Sequence, residues 1–168
     1  MYKEPAPRTP PSLSWFQSHL PSLNRCFARL APEDVLNWGL TTFGQETAVA
    51  TGFGPTSIIL LHMISQIRPK APVFYLQTDL FFPETLALRD ELALRLDIEF
   101  IEVRPVLSVA DQRRRYGPNL WEHNPDLCCE LRKINPMRQF LADKKAWIAG
   151  LRRDQSPARA QTEPGFLG

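Results

Sequence analysis

The chain is poor in several residue types, and each shortage removes a class of protein. Only 3 cysteines occur in 168 residues. An odd, low count provides no disulfide framework and suits a reducing compartment, with the cytoplasm as the default. The 3 histidines are scattered, and none stands in a zinc-ligand or triad arrangement. No apolar run approaches the ~18 residues of a membrane span. The net charge of +2 is too small to argue for nucleic acid. The 8 glycines include neither a G-x-G-x-x-G fingerprint nor the G-K-[ST] of a P-loop. The first ten residues lack the apolar core of a signal peptide.

What remains is ordinary for a globular domain: 43% hydrophobic and 23% charged residues, enough for one core. Residues 1–12 read as a disordered Pro-rich leader, 13–159 as one domain and 160–168 as a disordered tail. Within the domain, short apolar segments alternate with helical ones. Thr47–Thr51, Pro72–Gln77, Ile98–Val103 and Ala146–Ala149 predict strands. Leu13–Leu30 predicts one or two short helices, and Pro32-Glu33-Asp34 opens another, with proline and acids in the first turn. Further helices are expected over Ser57–Ile67, from Pro83, over 108–115 and over Leu127–Leu141, with a break at Pro136. Glu99 and Glu102 on the third strand place it near an edge. The alternation predicts an α/β domain with a parallel sheet. Right-handed crossovers then gather the loops 51–57, 77–84 and 150–159 at the carboxyl ends of the strands, where such sheets bind ligands.

Four stretches at or near that edge could carry chemistry. Thr51-Gly52-Phe53-Gly54-Pro55-Thr56-Ser57 runs from a strand into a helix. Glycines let backbone approach a ligand, and a helix start offers free N–H groups to a phosphate or sulfate oxygen. A plain tight turn is the other reading. Thr78 and Asp79 could bond a ribose or base, or merely cap the helix that starts near Pro83. Cys128-Cys129 could both face one metal cluster, with Arg132 and Lys133 favouring thiolates; two buried structural cysteines is the alternative. Arg152, Arg153 and Arg159 suit a grip on an anion, or a surface loop with Arg153–Asp154 pairing. His62, in an apolar helical stretch, reads as a partly buried structural histidine.

In order and spacing, several stretches together resemble the adenylyl-sulfate and phosphoadenylyl-sulfate reductase family. They are Ala50–Gly54, Phe82-Pro83-Glu84-Thr85, Tyr116–Leu120, Cys128-Cys129 with Arg132-Lys133, and Trp147–Gly150 through Arg152–Pro157. The resemblance covers roughly Val35 to Arg159. It implies a parallel-sheet adenine-nucleotide alpha-hydrolase-like fold, incomplete at the C-terminus. It also implies thioredoxin- or glutaredoxin-dependent reduction of adenylyl sulfate to sulfite and AMP in sulfate assimilation. Phosphoadenylyl sulfate as substrate, or a non-catalytic nucleotide-binding module, is the alternative.

By that resemblance, Thr51, Gly52, Phe53, Gly54, Ser57, Thr78, Arg152, Arg153 and Arg159 bind substrate. Lys133 lies between cluster and substrate, and Cys128 and Cys129 supply two of the four ligands of a [4Fe-4S] cluster. The family's second cysteine pair and its nucleophilic tail cysteine fall beyond Gly168, so this chain is expected to be a fragment without turnover. Three departures stand out. The family usually has Ser at Gly52, an acid at Thr56, and Asp-Thr-Gly where this chain reads Gln77-Thr78-Asp79. Binding at the first loop is therefore expected to lean on backbone N–H groups and Ser57.

Overall fold

The computed structural model describes residues 11–165. Four strands, β1 (Thr47–Ala50), β2 (Pro72–Leu76), β3 (Glu99–Val103) and β4 (Ala146–Ile148), form one sheet in the order β3-β2-β1-β4. All three pairings are parallel. β3 occupies one edge, as its two glutamates suggest.

Alternation along the strands sends side chains to opposite faces. Val49, Val73 and Tyr75 join the larger core, with Leu60, Leu61 and Ile64 from α3 (Pro55–Ile67) and Leu92 from α4 (Pro83–Leu96). Leu40 of α2 (Pro32–Phe43) completes that layer. Ala48, Phe74 and Val103 face the other way, and Met137, Phe140 and Leu141 pack on them. The Phe74 and Phe140 ring centroids lie 4.6 Å apart. The sheet is thus covered on both faces, as parallel sheets are.

The N-terminal segment forms a single helix, α1 (Leu13–Phe27), which carries Pro21 in its interior. Ser12 caps it by accepting from the Trp15 N–H. Phe16 and Phe27 of α1 lie against Trp38, and Phe16 also stacks on Phe43. The expected leader falls almost wholly outside the described residues. Of the expected tail, residues 160–165 are described: the Gly165 N–H donates to Asn24 Oδ1 at 2.9 Å, and Asn24 Nδ2 donates to the Gly165 carbonyl at 2.8 Å.

The region after β3 is built from short helices: α5 (Val109–Tyr116), α6 (Leu120–His123), α7 (Pro125–Cys129) and α8 (Asn135–Leu141). Gly117 ends α5 at φ 88°, and Asn119 opens α6 at φ 51°; both are left-handed positions that glycine and asparagine tolerate. Between α7 and α8 the chain makes a π turn over Glu130–Ile134. The cause is local. Pro136 has no N–H, and its ring would collide with the carbonyl of Arg132 four residues earlier. Widening the helix by one residue removes the collision, so the expected break at Pro136 is a bulge rather than an end. A π turn rotates every following and preceding side chain relative to an ideal helix, and this one lies directly after Cys128-Cys129.

Candidate functional site at the carboxyl edge of the sheet

α3 starts without a side-chain cap; Gly54 is its N-cap and Pro55 its first residue. The N–H of Ile58 is the first to close a helical bond, onto the Gly54 carbonyl at 3.0 Å. The backbone donors of Thr56 and Ser57 therefore face the edge, at the positive end of the helix. Neither Gly52 nor Gly54 has left-handed backbone, and a Cβ on either would meet nothing within 4 Å. The glycines are not required by the chain's own packing; they leave open space in front of the N–H groups.

Phe53 behaves differently from its neighbours. It is 6% exposed and its ring lies 5.3 Å from Tyr75, 6.2 Å from Phe81 and 5.5 Å from Phe100. Its backbone takes φ 57°, and its N–H donates to Thr51 Oγ1 at 3.1 Å. The ring anchors the loop in the core, so only the backbone of Phe53 remains at the edge. Thr51 is buried with its hydroxyl engaged in that bond.

The exit of β4 meets the same helix start. A Cβ on Gly150 would lie 3.4 Å from the Thr56 carbonyl and 3.5 Å from the Ser57 nitrogen. Arg152 Nη1 donates to Thr56 Oγ1 at 2.9 Å, and its Nε donates to Asp154 Oδ1 at 2.8 Å. That bond holds the Asp154 carboxyl below the usual carboxylate range. The expected Arg153–Asp154 pairing gives way to this Arg152–Asp154 pair. Arg153 turns toward the chain end, donating from Nε to the Thr162 carbonyl at 2.8 Å. Arg159 donates to Gln155, whose Oε1 also accepts from the Arg152 N–H. So Arg152 is brought to the loop 51–57, while Arg153 and Arg159 bond elsewhere within the segment 152–162.

The loop after β2 is held from beneath. Asp79 sits at φ 58°, a left-handed position where Asp is one of the tolerated side chains. This is the residue standing where the resembled family usually has glycine, so the backbone shape is that of a glycine turn made with an acid. The Asp79 N–H donates to Gln77 Oε1 at 3.2 Å, and the Leu80 N–H to Thr78 Oγ1 at 3.3 Å. The Thr78 hydroxyl is thereby used locally, and Thr78 itself is buried.

Arg132 is 1% exposed and reaches this loop from the π turn. Its Nε donates to the Thr78 carbonyl at 2.6 Å, and Nη2 to Asp79 Oδ2 at 3.0 Å. Nη1 donates to the Leu107 carbonyl at 3.2 Å and to Gln112 Oε1 at 3.1 Å. In the sequence, Arg132 signals only a charge effect on the thiols. Its actual partners lie 20 to 54 residues away in sequence, so no local pattern signals them.

Cys128 is buried, with Gln112 Nε2 3.9 Å from its Sγ; Cys129 is half-buried and Cys26 exposed. Lys133 is exposed and, among the described residues, forms no ion pair. No group of three His, Cys, Asp or Glu among the described residues could hold a metal ion. A [4Fe-4S] cluster takes four thiolates, and Cys128 and Cys129 are two, so the described residues do not complete such a site. His62 lies exposed on α3 rather than partly buried, because it falls on the helix face opposite Leu61 and Ile64. An apolar cavity of about 450 Å³ between α1, α2, β4 and residues 162–165 includes none of residues 51–57 or 77–79.

A parallel α/β sheet with an uncapped helix start and an arginine at its carboxyl edge has the layout of nucleotide-binding α/β domains. Residues 46–164 match the model of the phosphoadenosine phosphosulfate reductase domain, and the chain belongs to that family. It is 48% identical over 149 residues to the adenosine 5'-phosphosulfate reductase of Salinibacter ruber, covering 89% of this chain and 59% of that protein. It is 44% identical over 152 residues to the phosphoadenosine 5'-phosphosulfate reductase of Gloeobacter violaceus, covering 90% and 63%. The crystal structure of the phosphoadenylyl-sulfate reductase of Candida auris, a phosphate complex, superposes with a TM-score of 0.71 at 30% identity. That likeness covers 85% of this chain and 70% of the other. The chain spans about three fifths of the length of the curated relatives it matches. Among the described residues, no helix is long and apolar enough to cross a membrane.

Proposed function

We propose that this chain is the nucleotide-binding portion of an adenylyl-sulfate reductase. In this role it holds the phosphosulfate of adenylyl sulfate between the α3 start and Arg152. The single observation that carries the reading is the Arg152–Thr56 contact at 2.9 Å, which brings a guanidinium to the uncapped first turn of α3. A guanidinium beside a helix start complements a phosphosulfate anhydride, which carries negative charge on both its phosphate and its sulfate, better than either element alone. Ser57 adds a hydroxyl, and the open space at Gly52 and Gly54 gives the anion access.

The other assignments belong to the same proposal. Cys128 and Cys129 are two thiolate ligands of an iron–sulfur cluster whose other two cysteine ligands these 168 residues do not supply, and Lys133 provides positive charge beside them. Free thiols of this kind suit a reducing compartment such as the cytoplasm. A thioredoxin- or glutaredoxin-class dithiol donor is carried by the resemblance alone. Adenylyl sulfate is preferred over its 3′-phosphorylated form because the Salinibacter relative bears that name at 48% identity.

Isothermal titration of the 168-residue chain with adenylyl sulfate, phosphoadenylyl sulfate and AMP tests this. Adenylyl sulfate is expected to bind more tightly than AMP, because only it carries the sulfate that Arg152 faces. Equal binding of adenylyl sulfate and AMP would remove the phosphosulfate role of Arg152. No binding of any of the three would overturn the reading.

A further inference from the structure

Four acceptors converge on one buried side chain, two of them on the turn after β2 and two on the segment that follows β3. We infer that Arg132 is a positioning residue: it fixes the turn after β2 in its left-handed form and ties that turn to the helix segment bearing Cys128. The inference rests on the nucleotide-binding reading above, since the turn it fixes is one of the loops at that edge.

The geometry is specific. An arginine buried to this degree is retained only if its donors are satisfied, and all three nitrogens of Arg132 are bonded. Two bonds go to the turn itself, at the Thr78 carbonyl and the Asp79 carboxylate. Asp79 is gripped from the other side by Arg104 Nη1 at 2.8 Å. A non-glycine residue at φ 58° is strained, and the two arginines supply the charge that holds it there. The remaining bonds run to the Leu107 carbonyl and to Gln112 Oε1, and the amide of Gln112 reaches toward Cys128 Sγ. A continuous bonded path therefore runs from the turn through Arg132 and Gln112 to Cys128. Arg132 lies within the π turn that directly follows the cysteine pair.

Lysine at 132 keeps the charge but cannot reach a carbonyl, a carboxylate and an amide together. The test compares R132K and Asp79→Asn with the wild-type 168-residue chain. The readouts are adenylyl sulfate titration, hydrogen exchange at residues 77–82, and iodoacetamide labelling of Cys128 resolved by mass spectrometry. R132K is expected to lose roughly tenfold or more in affinity. Its exchange at 77–82 and its Cys128 labelling should rise together, because both ends of the path are released. Asp79→Asn, at an exposed position, should weaken binding and raise exchange at 77–82 while leaving Cys128 labelling unchanged.

A folded R132K with wild-type affinity, or with exchange raised at only one end of the path, overturns the inference. If R132K does not fold, Asp79→Asn decides, and wild-type affinity and exchange in that variant overturn it. Should the wild-type chain bind no adenylyl sulfate, the proposed function fails. The exchange and labelling of R132K still judge the bridge: a joint rise supports it, and no change rejects it.

Discussion

The guanidinium of Arg152 donates to the hydroxyl of Thr56 at 2.9 Å, joining the exit of β4 to the first turn of α3. The two residues are 96 positions apart, and only the parallel pairing of β1 with β4 brings them together. Arg152 is exposed. Arg152→Ala is therefore expected to leave the melting temperature nearly unchanged. It should weaken adenylyl sulfate binding by roughly tenfold or more, the value of a charge-assisted hydrogen bond of about 1.5–3 kcal/mol. Binding of AMP should fall less. Titration of both ligands against wild type and variant checks this.

Gly52 offers the opposite kind of test. Its Cβ position is open and its backbone is not left-handed. Gly52→Ala should change unfolding free energy by no more than about 0.5 kcal/mol, as for other surface substitutions. Any loss of nucleotide affinity then reports crowding of the ligand rather than of the fold. Urea melts beside titrations separate the two.

Phe53→Ala should do the reverse. Removing a ring that meets Tyr75, Phe81 and Phe100 leaves a cavity, at a cost of about 3–5 kcal/mol. The urea midpoint should fall sharply, with the change measured in the absence of any nucleotide.

Acid should act through β2 and β3. The Tyr75 hydroxyl donates to Glu102 Oε2 at 2.6 Å, and this bond, with Arg104, holds the Glu102 carboxyl below the usual carboxylate range. A folded value below the unfolded one stabilises the fold above the unfolded value, about 4.3, and that contribution is lost as pH falls through the folded value. Stability measured by urea at descending pH should therefore drop in that window. Glu102→Gln should show a shallower acid slope.

The three thiols differ in access, and labelling should follow it. Iodoacetamide is expected to modify Cys26 first, Cys129 next and Cys128 last, given their exposed, half-buried and buried positions. Time-resolved mass spectrometry of the tryptic peptides gives the order.

Much of the fold was legible because its signals are local. Thr47-Ala48-Val49-Ala50 and Pro72-Val73-Phe74-Tyr75-Leu76 are short apolar runs ending at turn residues, and both are strands. Pro55 and Pro83 stand at helix starts, where proline's missing N–H costs nothing. The glutamates of β3 foretold an edge. Pro136 foretold a disturbance, although its form, a π turn, depends on the helix continuing on both sides.

The site was legible by position but not by direction. Gly52-Phe53-Gly54 marked a loop at the strand end, yet nothing local separates an edge-facing Phe53 from one buried among Tyr75, Phe81 and Phe100. An aromatic between two glycines is the only available hint, since the small neighbours let it swing inward. Arg152 and Arg153 are adjacent and equivalent in sequence; one meets Thr56 and the other Thr162 because Arg152 ends the extended exit of β4 while Arg153 begins a 3-10 turn over Arg153–Gln155.

By itself the sequence determined the alternation of strands and helices, the parallel sheet that follows from it, and the loops that had to gather at one edge. These depend on hydrophobic period and on proline and glycine, which act within a few residues of themselves. Tertiary structure alone decided that Arg132 is buried, that it holds Asp79 where the resembled family usually has glycine, and that Gln112 joins it to Cys128. Those partners meet through packing across 16 to 53 residues, and a buried guanidinium is tolerated only where such distant acceptors coincide.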